Sequence, residues 1–343
     1  MIDLRSDTVT KPTPAMILTM QEAAYNGVGD DVFKEDPTTN LLEKKLAEMF
    51  QMEDGLFCPS GTMTNQIAIK CHTQPGEEVI CEETAHIYQN EVGGIAFHSN
   101  CSVKLIKGKY GIIHPTQIED CINKKDDIHK PTTSLLCLEN TSNRGGGTCY
   151  NIEHIQAMQL LCKKNGLAFH LDGARLFNAL VAKNQHPQEV GILFDSISIC
   201  LSKGLACPAG SVLLGNKLFI QKARKMRKLF GGGMRQVGIL AAAGIYALDN
   251  HIQRLHIDHF NAQQVYECLQ NLPFVAEIYP VETNIIIFSI KENSNYTANS
   301  LVQKLLEYNI QCFAISKNLI RFVLHLQITN EEVQFIINTL KKI

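Results

Sequence analysis

The sequence predicts an α/β protein, a mostly parallel sheet sandwiched by helices, with a smaller α+β unit after it. Three observations carry this. Short apolar runs, bounded by glycine or polar residues and too short for helices, recur between residues 79 and 214. Amphipathic segments separate them, the pattern of parallel strands joined by helical crossovers. Past residue 272 the pattern changes to strands and helices that read as a second layer system.

Residues 1–30 are polar and contain Lys11-Pro12-Thr13-Pro14. They read as an extended arm outside the core, ending near residue 25. Leu41–Phe50 has helical spacing, and Asp36-Pro37-Thr38-Thr39-Asn40 supplies its start signal. Strands are predicted at Val79–Cys81, Val103–Ile106, Ser134–Leu138, Leu167–Leu171, Ser196–Leu201 and Ser211–Leu214. Ile152–Lys164 is apolar at helical spacing and stops at Asn165-Gly166. Gln236–Asn271 reads as one or two long helices, opening with the tightly packable Leu240-Ala241-Ala242-Ala243-Gly244. Strands at Asn284–Ile290 and Leu319–Leu324 and helices at Thr297–Tyr308 and Asn330–Lys341 complete the chain. The expected organisation is an arm over 1–25, a large unit over 26–250 and a small C-terminal unit over 251–343. A chain of 343 residues exceeds one comfortable core, which agrees with that division.

Composition narrows the function. A formal charge of −2 with no long basic run gives no electrostatic case for nucleic acid. The opening Met1-Ile2-Asp3-Leu4-Arg5 is not a basic n-region followed by an apolar core, so no secretory signal is expected there, and no apolar stretch approaches the ~18 residues of a membrane span. Twelve cysteines are scattered without a Cys-x-x-Cys pair. They read as buried free thiols in a reducing cytoplasm, with no zinc or other metal site expected.

The chemistry sits where two strands end. Leu167–Leu171 leads into Asp172-Gly173-Ala174-Arg175, and Ser196–Leu201 into Ser202-Lys203-Gly204. Ligands of open α/β sheets bind beyond strand carboxyl ends. A carboxylate, a guanidinium and an amine are therefore delivered to one edge. Pyridoxal phosphate (PLP) needs such a set: an amine for its aldehyde and an acid for its pyridine nitrogen. Lys203 supplies the amine, and burial would make it nucleophilic. Asp172 would hold the pyridine nitrogen protonated; a helix-capping Asp is the plainer alternative. Ser60-Gly61-Thr62 precedes a helical segment and offers hydroxyls and N–H groups suited to a phosphate, or to an ordinary N-cap. His86 follows a strand and could stack on a flat ring or be a hydrogen-bonded core histidine. His170 reads as packing beneath the edge. Phe230-Gly231-Gly232-Gly233-Met234-Arg235 is a close-approach loop whose arginine could reach a phosphate. Arg321, inside an apolar strand, suits a carboxylate ligand, because an unpaired buried arginine is costly.

Taken together these residues resemble the L-threonine aldolases, PLP enzymes of fold type I (the aspartate-aminotransferase fold). The resemblance runs from Asp3-Leu4-Arg5-Ser6-Asp7-Thr8 to Arg321. Its most specific pieces are Ser60-Gly61-Thr62, Glu83-Thr84-Ala85-His86-Ile87, Leu171–Arg175, Leu201–Gly204 and Gly231–Gln236. It implies a seven-stranded, mostly parallel sheet and retro-aldol cleavage of β-hydroxy-α-amino acids. Lys203 would carry the cofactor, Asp172 would pair with its ring nitrogen and His86 would stack on the ring. Ser60, Gly61, Thr62 and Ser202 would hold the cofactor in place, with Arg235 reaching its phosphate from a neighbouring subunit. Ser6, Arg175 and Arg321 would bind the substrate carboxylate, Arg175 also serving the cofactor at its ring oxygen. A homotetramer built from dimers is implied, with the active site at the dimer interface. The chain departs from the family after Leu138: Glu139-Asn140-Thr141-Ser142 stands where Glu-Asn-Thr-His is common. Ser142 is expected to face the substrate, yet serine is no base near neutral pH. His86, acting through a water, is then the expected base. Competing readings are a β-eliminating PLP lyase and a non-catalytic PLP-binding protein. A dinucleotide-dependent dehydrogenase is disfavoured, since no Gly-x-Gly-x-x-Gly follows the first strand.

Overall fold

A computed structural model describes residues 1–343. The strands are β1 (Ile2–Asp3), β2 (Asp54–Cys58), β3 (Glu78–Glu82), β4 (Ser102–Ile106), β5 (Thr133–Glu139), β6 (Ala168–Gly173), β7 (Ser196–Cys200) and β8 (Ser211–Gly215), then β9 (Val275–Ile278), β10 (Ile285–Ile290), β11 (Ile310–Gln311), β12 (Phe313–Ala314) and β13 (Leu319–Val323). Seven of them form one sheet in the order β2-β8-β7-β6-β5-β3-β4. Strands β3 to β7 run parallel, and β8 is antiparallel to both of its neighbours. Both faces are covered, so the strands carry continuous apolar runs and not an alternation. In β7, every residue of Ser-Ile-Ser-Ile-Cys is buried.

All six predicted large-sheet strands are present, each within two residues of its expected limits. The seventh, β2, escapes sequence reading because it begins with Asp54-Gly55, a turn dipeptide, and holds only three apolar residues. Its place is set by tertiary pairing with β8. The arm is likewise more ordered than its composition suggests. Residues 14–26 form a helix and not an extended segment. Thr13 caps it by accepting from the Met16 N–H, and Pro14 occupies the first turn, where a missing N–H costs nothing. Met16 is fully buried, packed with the helix Gly238–Asn250. Gln236–Asn271 resolves into two helices, Gly238–Asn250 and Leu255–Leu269.

The C-terminal part has its own antiparallel sheet, β12-β13-β10-β9, and its own apolar cluster. Ile2 and Leu4 belong to that cluster, and β1 pairs with β11 in parallel. The first residues are thereby fastened to the small sheet, while residues 14–26 are fastened to the large unit. Residues 5–10 connect them through a single 3-10 turn at Asp7–Val9, and bond beyond the ends of β6 and β7 through Asp7 to Arg175 and Thr10 to the Lys203 carbonyl.

Candidate active site

A cavity of about 400 Å³ opens at that edge. Five of the predicted site residues line it: Ser6 from the arm, His86, Arg175, Lys203, and Arg321 from the small sheet. They come from five separate stretches of chain, and for Arg175 and Lys203 the parallel sheet explains the convergence. Asp172 stands level with Glu139 on β5 and Ser198 on β7, so three strands finish together.

Lys203 follows β7 by three residues. Its backbone carbonyl accepts hydrogen bonds from Thr10 Oγ1 (2.9 Å) and the Ala206 N–H (2.8 Å), which fixes the turn that presents it. Asp172 lies buried beside the cavity and does not line it. One carboxylate oxygen accepts from Asn65 Nδ2 at 2.9 Å, the other from the Ala174 N–H at 3.1 Å. Lone pairs remain on both oxygens for a further N–H donor.

His86 connects these groups. Its Nδ1 lies 2.9 Å from Glu91 Oε1, and ring nitrogen, Glu91 and Asp172 oxygens are all within 4.8 Å of one another. Burial pulls the imidazole pKa down, but the Glu91 hydrogen bond and the Asp172 charge push it up and win, leaving it above its ordinary value. Glu91 is held in turn by Asn65 (3.0 Å) and Gln66 (2.6 Å). Behind them, His170 bridges Asn65 Oδ1 (3.2 Å) and Ser196 Oγ (2.8 Å). Complete burial drives the His170 pKa down to about 3, so it is a neutral structural link, as its position in the strand suggested.

Arg175 forms a buried bidentate ion pair with Asp7: Nε to Oδ2 at 2.7 Å and Nη2 to Oδ1 at 2.6 Å. Burial raises the Asp7 pKa and Arg175 lowers it, with the net direction down. Arg321 differs. Its Nη1 donates to Asn143 Oδ1 (2.9 Å) and its Nη2 to the Arg5 carbonyl (3.0 Å), both neutral, and its buried Nε has no partner. Burial first, and then the nearby Arg175 charge, pull its pKa down to about 10. The cavity therefore holds a guanidinium that lacks a carboxylate.

Other predicted residues lie elsewhere. Ser60 caps the helix Gly61–His72 by accepting from the Met63 N–H (3.2 Å), so Gly61 and Thr62 form its first turn. Ser202 Oγ lies 3.5 Å from Cys200 Sγ. Arg235 is half-exposed at the surface and paired with Asp30 at 2.6 Å. Ser142 does not line the cavity. Its Oγ accepts from the Gly145 N–H (3.2 Å) in a tight turn, and a Cβ at Gly111 would fall 1.9 Å from that oxygen. The residue after it, Asn143, reaches the cavity instead.

Sequence reasoning passed over Asp7, Glu91, Asn65, Glu139 and Asn143. Asp7 stood inside the quoted opening motif, but its partner is 168 positions away. Glu91 follows His86 by five residues, a spacing with no regular meaning on a helix.

Comparison with known proteins decides the family. A family model described as beta-eliminating lyase matches residues 3–293. The probable low-specificity L-threonine aldolase 2 of Arabidopsis thaliana is 41% identical over 346 aligned positions, covering 100% of this chain and 97% of that protein. The chain belongs to the low-specificity L-threonine aldolases. Another member, from Escherichia coli K12, is 40% identical across 97% of this chain and 96% of its own. The solved Leishmania major threonine aldolase superposes with a TM-score of 0.87 at 20% identity, over 100% of this chain and 99% of that one, which supports the fold. Of the residues quoted from the sequence for this resemblance, Ser6, His86, Arg175, Lys203 and Arg321 line the cavity and Asp172 is buried beside it, while Ser60, Gly61, Thr62, Ser142, Ser202 and Arg235 do not line it.

Proposed function

We propose that the protein uses pyridoxal phosphate to cleave L-threonine and L-allo-threonine to glycine and acetaldehyde. The observation that carries this reading is one cavity shared by Lys203, His86 and a half-buried Arg321 with no carboxylate partner.

The residues fit the cofactor. Asp172 offers free lone pairs to a ring N–H beside His86. The first turn at Gly61 and Thr62 offers backbone N–H groups to a phosphate, with the helix dipole in support. Beside it, the buried Ser211 hydroxyl has no partner, 3.4 Å from where a Gly61 Cβ would lie. Bound there, the cofactor would supply the electron sink for breaking Cα–Cβ.

The protein contributes position and proton handling. Arg321 and Ser6 would clamp the substrate carboxylate. Arg175 would face it with charge already balanced by Asp7, acting through its remaining Nη1. That clamp orients the Cα–Cβ bond, the larger part of what a rigid site adds to rate. His86 would take the β-hydroxyl proton through a water, its orientation fixed by Glu91. Ser202 would complete the surroundings of Lys203. Arg235 would reach the phosphate of a neighbouring subunit in a homotetramer built from dimers. Free cysteines throughout, eleven of twelve buried, support a reducing cytoplasm. No helix is long and apolar enough to cross a membrane.

The test is product analysis of the purified holoenzyme with both diastereomers. Equal amounts of glycine and acetaldehyde are expected. Keto acid and ammonia would instead indicate β-elimination.

A further inference from the structure

The charges facing the cavity do not balance. Four cationic side chains line it: Lys203, Arg144, Arg175 and Arg321. Arg175 is matched by Asp7. The only lining carboxylate is Glu139, which accepts backbone N–H groups from His86 (2.6 Å) and Asn143 (2.8 Å) and forms an ion pair with none of the four. Arg321 meets only neutral acceptors. Arg144 is weaker still, with a single 3.5 Å contact from Nη1 to the Ile315 carbonyl. It is adjacent in sequence to Asn143, which holds Arg321, and its charge is close enough to press on the Arg321 guanidinium. With Lys203 reserved for the cofactor, two partly buried guanidinium groups share one small cavity and neither is paired with a carboxylate. Like charges so placed repel, and an anion between them relieves the repulsion.

A threonine-type substrate brings one carboxylate, which neutralises one guanidinium. The other then faces a methyl group. We infer that the site also takes α-amino-β-hydroxy dicarboxylic acids, the second carboxylate lying on Arg144. This deepens, and rests on, the aldolase reading. The simplest such substrate is 3-hydroxyaspartate, in which a carboxylate replaces the threonine methyl. Its cleavage needs no added oxidant or reductant. The Cα–Cβ bond breaks, the β-hydroxyl oxygen becomes the aldehyde oxygen, its proton goes to the base, and a proton is returned to Cα. Glycine and glyoxylate result. Arg144 acts here as a specificity residue, since it touches a part of the substrate that does not react.

The experiment compares kcat/KM of the holoenzyme for L-threonine, L-threo-3-hydroxyaspartate and L-threo-phenylserine in wild type, Arg144→Gln and Arg144→Lys. The expected wild-type preference for hydroxyaspartate over threonine is roughly tenfold, the effect of one charged hydrogen bond. Arg144→Gln lowers that ratio by roughly tenfold or more, and Arg144→Lys keeps most of it. In wild type, moreover, added salt depresses hydroxyaspartate cleavage more steeply than threonine cleavage. Three results overturn the inference while leaving the aldolase reading intact: threonine cleaved with hydroxyaspartate no better, phenylserine preferred to hydroxyaspartate, or an unchanged ratio in Arg144→Gln because both rates fall together. The last would mean that Arg144 and Arg321 clamp the same carboxylate. Failure to cleave any of the three would remove the aldolase reading itself.

Discussion

Glu91 is a buried carboxylate, outside the cavity lining, that biases the protonation of His86 within it. It accepts from Asn65 and Gln66 and lies against His86 Nδ1, so its charge stabilises imidazolium. Replacing it by glutamine removes that charge while keeping the size. The His86 pKa must then fall, because burial, which disfavours the cation, is no longer opposed as strongly. If neutral His86 is the base, the acid limb of kcat/KM shifts to lower pH in Glu91→Gln. A pH–rate profile for threonine cleavage checks this; an unmoved or upward-shifted limb would exclude His86 as the titrating base. Asp7 makes the same point from the other side of the cavity, since it takes two of the three nitrogens of Arg175 and leaves Arg321 as the guanidinium in need of an anion.

At the scale of elements, the turn after β5, where the sequence reads serine at 142, is closely packed. Ser142 is buried, bonded to the Gly145 N–H, and pressed against Gly111, whose φ of +76° no larger residue adopts easily. An imidazole is larger than the hydroxyl these contacts enclose. Ser142→His is expected to lower stability by about 1–3 kcal/mol, the usual cost of overpacking, as read by denaturant unfolding. Stability equal to wild type would show that the turn rearranges freely. The parallel strands were legible in the sequence because burial on both faces makes each a continuous apolar run, and Asp172 and Lys203 could be assigned to one edge from topology alone. Three features were not legible. The helix at 14–26 was masked by a Pro-rich approach that caps it; β2 was too short and began as a turn; and the pairing of Asp7 with Arg175 depends on an arm whose path is fixed at both ends by other elements. The side chain at 142 was assigned to the substrate from its position in the motif, and only local packing shows it turned away.

For the whole molecule, one buried histidine, His170, and two half-buried ones, His72 and His259, bear on acid stability. Burial lowers the pKa of His170 to about 3 and those of His72 and His259 to about 4. In the unfolded chain each takes a proton below about 6.5. The folded state therefore binds fewer protons, and the stability these groups contribute, present above about 6.5, is lost as pH falls toward 3–4. Each contributes a slope of about 1.4 kcal/mol per pH unit within that window. His170→Gln removes one of them, so guanidinium unfolding measured from pH 7 to pH 4 is expected to show a shallower dependence than wild type; an identical slope would mean that His170 titrates normally. The same fold that buries His170 under the strand edge also presents Lys203 three residues past it, and the functional account depends on that amine. Borohydride reduction of the protein loaded with pyridoxal phosphate, followed by peptide mass mapping, tests it most directly. The account predicts one cofactor mass per chain, on Lys203; a label on another side chain, or none, would contradict it.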